Sequence, residues 1–307
     1  MNPRSRELTV AAALGLLLVA LAIFAPHFFA LQPLLSRLTA QTPALVAAIG
    51  ITLVIISRQI DISIGAQFGL CSVIAGLLAA TKLPLGIAVA GSIAAGAALG
   101  AINGAFVAGL GLPSIVVTLA TMVTWNEALR LWQQGRLLNL PPGTQWFGLA
   151  QSTGQLALIT FAVALLAAAA WALRHLAAGR RVYAVGSDAE AARLAGISPR
   201  ATTFGVFVLM GALVGVAAVL NVVQSPQVQP TSGDGLELKV IAAAVVGGVA
   251  VSGGRGSLWG VFPGLLLLAN VNPALTHSHV EAYWEKAIQG FVILLAVMAD
   301  GLRTRRA

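Results

Sequence analysis

Charged side chains are scarce in this chain: they make up 9% of its 307 residues, and the mean hydropathy is +0.90. A soluble domain carries about 25% charged residues, so this sequence cannot cover a water-facing surface. Several apolar runs approach the roughly 20 residues that cross a hydrocarbon core about 30 Å thick. The ten-residue alternation of an outer-membrane barrel is missing, which leaves helical spans. The sequence therefore predicts an all-α polytopic membrane protein.

Cysteine and catalytic motifs are also lacking. Cys71 is the single cysteine and lies in an apolar stretch, which excludes a disulfide framework and a cysteine-based metal site. The phosphate-binding pattern G-x-x-x-x-G-K-[ST] does not occur, so no nucleotide cofactor is expected in this chain. A metal site or membrane-embedded enzyme built on His277, His279 and Glu281 is a weak alternative, because no second carboxylate cluster accompanies them. We predict no catalytic residues and no metal ligands.

Glycine, proline and charged residues divide the sequence into about ten candidate spans, with eight to ten as the range. We treat residues 1–307 as a single transmembrane domain, a bundle of about ten helices. The predicted spans are 8–25, 43–57, 63–81, 84–108, 114–130, 155–174, 201–223, 238–252, 256–272 and 283–300. Small residues spaced three and four apart within them favour close helix packing.

The distribution of lysine and arginine predicts the side that each loop faces. With ten spans, both termini share one side with segment 174–200, and that side receives twelve of the eighteen basic residues. Lys239 is among the six that this topology places on the other side. Basic residues accumulate in cytoplasmic loops, so we expect the termini and segment 174–200 in the cytoplasm. The net charge of +8 follows from this bias and does not indicate nucleic acid.

Segment 174–200 carries seven of the 28 charged residues and predicts a short, capped helix. Ser187 and Glu190 form an S-x-x-E capping box, and Asp188 adds negative charge near the positive end of the helix dipole. Gly196 can end the helix in a left-handed conformation. Two interpretations are open: an amphipathic helix lying on the membrane surface, or a protein-docking helix. Eight residues are too few for a stable isolated helix, which favours a partner surface.

Polar residues inside or beside the spans form a second group of candidates. In SRQIDISIG, at 57–65, Arg58 and Asp61 would each cost about 2.5–3.5 kcal/mol at the bilayer centre, so they are expected to face protein or water. They form either a structural ion pair at a helix end or part of a transport pathway. Thr118 and Thr121 also belong to this group. Threonine in a membrane helix often bonds to its own backbone, and this is the simpler interpretation of both. The predicted pathway residues are Asp61, Ser63, Gln67, Asn103, Thr118, Thr121 and Glu127.

Four sequence blocks together resemble one family. GRRVYAVGSDAEAARLAGI, at 179–197, resembles the cytoplasmic loop of the permease subunits of bacterial carbohydrate ABC importers, in the branch for ribose, xylose, rhamnose and the autoinducer. QIDISIGAQFGL at 59–70, NGAFVAGLGLPSIVVTLATM at 103–122 and VVGGVAVSGGRGSLWG at 245–260 resemble further blocks of that family, in the same order. GRLLNLPPGTQWFG, at 135–148, is similar to permeases for rhamnose or the furanosyl autoinducer.

The resemblance implies a permease subunit of an ATP-driven sugar importer in the bacterial inner membrane, with about ten helices and alternating access. Its implied partners are a second permease subunit, identical or not, cytoplasmic ABC ATPases that bind ATP and Mg²⁺, a periplasmic sugar-binding protein and membrane lipid. An ion-coupled secondary transporter, suggested by Asp61 and Glu127, is the alternative. The residues expected to contact the ATPase are Ser187, Asp188, Glu190, Ala191, Ala192, Arg193, Leu194 and Gly196.

Overall fold

The computed structural model describes residues 3–24, 26–81 and 83–271, together with isolated positions between 284 and 298. The described residues form eleven α-helices and two short paired strands. The helices are α1 (Pro3–Phe24), α2 (Leu31–Ile56), α3 (Ile64–Ala80), α4 (Leu85–Gly104), α5 (Ser114–Gln133), α6 (Gln151–His175), α7 (Ala177–Ser187), α8 (Ala189–Leu194), α9 (Pro199–Val222), α10 (Leu236–Val246) and α11 (Leu258–Ala269). β1 (Leu138–Asn139) pairs antiparallel with β2 (Gln227–Val228).

Four helical stretches are long and apolar enough to cross a membrane: α2, α4 with its π-helical extension to Gly109, α6 and α9. The mostly helical fold is therefore confirmed, whereas a count of ten spans is not. The predicted span 238–252 corresponds to α10, whose 11 residues extend only about 16 Å. The predicted span 283–300, like His277, His279 and Glu281, lies outside the continuously described residues.

Helix α2 forms the centre of the bundle, and α4 and α9 pack against each other beside it. Sixteen residues of α2 are buried, and fifteen of them form the unbroken, mostly apolar run from Thr42 to Ile56. A side chain at Gly211 of α9 would overlap the carbonyl oxygen of Gly96 in α4, and one at Gly100 would overlap Phe207 O. This backbone contact confirms the close packing that the small residues predicted, since a larger residue at these positions would push the helices apart.

The bundle has two ends that differ in chemistry. At one end, here called the loop end, the breaks 57–63, 176–198 and 247–257 meet; the Gly254 N–H donates to Ile56 O over 2.8 Å. At the other, the sheet end, β1 and β2 pack on Gly76 of α3. The loop end holds arginines 58, 174, 180, 181, 193, 200 and 255, which the charge distribution had placed on one side.

Candidate functional site

Residues 187–197 contain the side chains predicted to contact the ATPase, and we call them the contact segment. Helix α8 is its central element, and Asp188 is the N-cap of that helix. The Asp188 Oδ1 accepts hydrogen bonds from the N–H groups of Glu190, at 2.9 Å, and Ala191, at 3.0 Å. The capping box predicted from Ser187 is wrong. Ser187 is the last residue of α7, so the extended backbone that an N-cap requires falls one residue later, at φ −157° and ψ 108°.

Gly196 ends the contact segment as predicted. Its φ is +80°, in the left-handed region that glycine enters without steric penalty. The Gly196 N–H donates to Arg193 O and the Ile197 N–H donates to Ala192 O, at 3.0 and 2.9 Å. This pair of bonds is a Schellman motif, which satisfies the final carbonyl groups of a helix only six residues long. The short helix is thus fixed at both ends by its own sequence.

The outward surface of α8 combines an apolar side chain with an ion pair. Leu194 is 77% exposed, and Ala192 is the one buried residue of the helix. Arg193 donates twice to Glu190: Nε to Oε2 at 3.0 Å and Nη2 to Oε1 at 2.5 Å. The Arg193 hydrogen bond holds the pKa of Glu190 below its ordinary value, so the pair stays charged at neutral pH. Helix α8 therefore presents an apolar side chain and a hydrogen-bonded ion pair on its exposed surface.

Three chain segments meet in backbone contact behind α8, at a site that we name the glycine junction: Gly186, Gly253 and Gly254, with the end of α2. A side chain at Gly186 would overlap Ile56 O, and one at Gly254 would overlap Ser187 Oγ. The Gly254 N–H donates to Ile56 O, a carbonyl oxygen at the end of α2 that has no partner within the helix. The glycine junction therefore joins the segment carrying α8 directly to the central helix of the bundle.

Two further contacts fix the glycine junction. The Tyr183 hydroxyl of α7 donates to Gly256 O at 2.7 Å. Arg58 lies beside Gly253 with φ +64°, and the N–H groups of Arg58 and Gln59 close a Schellman motif on Ile55 O and Val54 O. A left-handed arginine costs about 1–2 kcal/mol, which the surrounding contacts must offset. Three of the four recognised sequence blocks thus converge on one corner of the fold.

Six of the seven predicted pathway residues come together as a buried polar cluster. Asp61 is fully buried; its Oδ1 accepts from the Ser63 hydroxyl at 2.6 Å and from the Ser63 N–H at 2.8 Å. The Gln67 amide donates to Asp61 Oδ2 at 3.1 Å. Asn103 donates to Ser63 Oγ at 2.8 Å and accepts from the Thr121 hydroxyl at 2.9 Å. The cluster therefore links the break before α3 to α4 and α5.

Thr118 is the sixth residue of the buried polar cluster, and its hydroxyl bonds to the backbone of the helix break. Its hydroxyl accepts from the Ile62 N–H at 3.2 Å, while the Ser114 hydroxyl accepts from the Ile60 N–H at 3.1 Å. These bonds satisfy backbone groups in the non-helical segment 57–63, which would otherwise be costly in an apolar bundle. Within one protomer the cluster closes a helix break; its part in a transport pathway stays a prediction.

Two predictions about single residues differ from the structure. The Arg58–Asp61 ion pair is wrong: Arg58 is exposed, and Asp61 binds the Ser63 and Gln67 side chains instead. Glu127 does not join the buried polar cluster. It lies on the exposed side of α5 and accepts from Arg130 at 3.1 Å. The two side chains are 57% and 62% exposed, which makes this pair a surface ion pair of small energetic weight.

Sequence reasoning missed a polar segment that packs along α3. Residues 228–233 follow α3 in reverse: a side chain at Gly76 would meet Val228 at 3.0 Å, and one at Gly69 would meet Pro230 O at 2.9 Å. A side chain at Gly65 would overlap Gly233 O. Helix α10 therefore begins beside the first turn of α3, away from the sheet end.

Two consequences follow from that placement. Lys239, expected in an outer loop, instead donates from its Nζ to Gln41 Oε1 of α2 at 2.6 Å. The side chains of Gln229, Thr231 and Asp234 are exposed on this segment, although it lies at the level of the helices. We name residues 229–235 the inner polar segment. Its run of Pro, Gly, Ser and Asp was the available signal, since these residues form turns rather than helices.

One protein family matches most of the chain. Residues 34–297 match the family described as branched-chain amino acid transport system / permease component. No solved structure was found to match the chain.

Relatives match over nearly the whole length. The autoinducer 2 import system permease protein LsrC of Klebsiella pneumoniae is 35% identical over 99% of this chain and 88% of its own length. The ribose import permease protein RbsC of Escherichia coli K12 is 31% identical over 94% of this chain and 91% of its own. The resemblance to carbohydrate importer permeases is thus confirmed. The chain belongs to the permease component family of branched-chain amino acid transport systems.

Proposed function

We propose that this chain is the permease subunit of an ATP-driven sugar importer and that α8 transmits movement from a cytoplasmic ABC ATPase. The observation that supports this most is the glycine junction, which joins an exposed, self-capped docking helix to the core of the bundle. The chain contains no phosphate-binding glycine loop, so the ATP and Mg²⁺ would be bound by partner chains.

We infer the partners from the relatives, which are import permeases, and the orientation from the arginines. Two permease subunits, of one kind or two, would enclose the pathway in the bacterial inner membrane, and a periplasmic binding protein would deliver the sugar. The loop end and both termini would face the cytoplasm, because the arginines gather there. The bundle would alternate between access from either side as the ATPases close and reopen.

The inner polar segment is our candidate for the solute-facing surface. It exposes an amide, a hydroxyl and a carboxylate at the depth of the helices, and these groups exchange hydrogen bonds with sugar hydroxyls. The buried polar cluster has no comparable access within one protomer. We infer a small polyhydroxylated solute, as the named substrates of the relatives are ribose and autoinducer 2.

Uptake by reconstituted proteoliposomes tests this function. The chain would be assembled with its ATPase and binding protein, and labelled ribose and autoinducer 2 would be offered outside vesicles that contain ATP. We expect uptake only when ATP and the binding protein are both present. Uptake driven by a proton or sodium gradient in the absence of ATP would contradict the proposal and support the ion-coupled alternative.

A further inference from the structure

An apolar groove of about 780 Å³ lies between α6 and α9, close to the loop end. Ala168 and Ala172 of α6 form one wall and Leu209 of α9 the other, while Ile49 and Leu53 of α2 form the floor. Exposed apolar side chains flank it on both helices, with Trp171 57% and Phe204 41% exposed. An apolar groove with apolar side chains on both sides suits contact with lipid.

The groove has one charged end. Arg181 of α7 is the single charged residue among the described residues that line it. In the part of the chain that the structure describes, no group accepts a hydrogen bond from its guanidinium, and Arg181 is exposed. A guanidinium is suited to bidentate binding of a phosphate group. The groove is thus an apolar channel, and the guanidinium at its mouth is suited to binding phosphate.

The dimensions of the groove correspond to one leaflet of a bilayer. On α6 its lining runs from Leu165 to the Leu176 position that ends the helix, twelve residues that span about 16 Å. Half of a hydrocarbon core is about 15 Å. Trp171 stacks on His175 with 5.4 Å between ring centroids, and His175 immediately precedes Leu176, which lines the groove. Tryptophan is enriched at the membrane–water interface, which places the mouth there.

We propose that this groove binds an acyl chain of an anionic phospholipid, with the phosphate held by Arg181. The site is also positioned to affect α8, because Gly196 and Ile197, which end the contact segment, form part of its lining. The proposal concerns lipid binding by the chain itself and holds whichever solute is transported.

Native mass spectrometry of the full chain in detergent, titrated with phosphatidylglycerol or phosphatidylcholine, tests the charged end. Wild type is expected to retain one phosphatidylglycerol in preference to phosphatidylcholine. Arg181→Gln should weaken phosphatidylglycerol binding about five-fold, the effect of one basic residue at an anionic surface. Arg200→Gln is the matched control: it removes the same charge from an exposed neighbouring position outside the groove and should leave binding unchanged.

Filling the groove tests the apolar part. No atom lies within 4 Å of a Cβ added at Gly205, which lines the groove, so the side chain of Gly205→Leu starts in the open space of the channel. It should abolish retention of phosphatidylglycerol, whereas Gly86→Leu, equally unobstructed on α4, should not. Equal retention of both lipids, equal effects of the two arginine changes, a Gly205→Leu variant that keeps its lipid, or displacement by glycerol 3-phosphate at lipid concentration would each overturn the proposal.

Discussion

The Gly186→Ala substitution is expected to break the glycine junction. The added methyl group would overlap Ile56 O, a backbone atom that cannot rotate away. Overpacking of this kind costs about 1–3 kcal/mol, and loss of the Gly254 N–H bond to Ile56 O about 1 kcal/mol more. Alanine in a helix recovers about 1 kcal/mol relative to glycine, so the expected net loss of stability is about 1–3 kcal/mol.

Gly15→Ala is the matched control, because α1 leaves the space around Gly15 open. It should raise stability by up to about 1 kcal/mol from helix propensity alone. Thermal unfolding in detergent, followed by tryptophan fluorescence, should separate the two variants by about 2–6 °C, because a chain of 307 residues shifts its melting temperature by only about 1.5 °C per kcal/mol. If Gly186→Ala melts at or above the temperature of Gly15→Ala, the close approach of Gly186 to α2 is wrong, and α8 is not braced as described.

Three further predictions concern single side chains. Asp188→Ala should speed amide hydrogen exchange in the first turn of α8, because the lost cap lowers the free energy of opening by about 1 kcal/mol. Ser187→Ala should leave the exchange unchanged, and equal exchange in both variants would refute the assigned cap. Asn103→Leu should lower the free energy of unfolding by about 1–3 kcal/mol in chemical denaturation, because it removes two buried hydrogen bonds. Asn126 of α5 is the control: it is half-buried and outside the buried polar cluster, so Asn126→Leu should change that free energy by less than about 0.5 kcal/mol. The carboxyl of Glu190 should titrate below its ordinary pKa by NMR, so the α8 ion pair is intact at neutral pH and is lost only as pH falls through that lowered value.

Much of the fold follows from composition and helix grammar. Gly196 was assigned correctly because the left-handed end of a helix has a strong local preference for glycine. The cap was misplaced by one residue because Ser187 and Asp188 are both good N-caps. What separates them is α7, whose length depends on packing against Ile56 and Gly254 rather than on local sequence.

The residues of the buried polar cluster could be predicted from the sequence, but their burial within one protomer could not. Ser63, Asn103 and Thr121 were selected because polar residues in apolar spans need partners, and they do bond to one another. Their burial within one protomer depends on how α3, α4 and α5 pack, and residue type alone does not determine that packing. The same limit applies to Lys239, whose partner Gln41 lies 198 residues away in the chain.

The central claim, that α8 contacts the ATPase, is tested most directly by ATPase retention in a pull-down of the assembled importer. Glu190→Lys/Arg193→Glu keeps an ion pair within α8 but reverses the charges that a partner meets. Glu127→Lys/Arg130→Glu makes the same exchange in an equally exposed i,i+3 pair near the sheet end. We expect the first variant to lose the ATPase and the second to retain it at the wild-type level. Equal retention by both would contradict the claim.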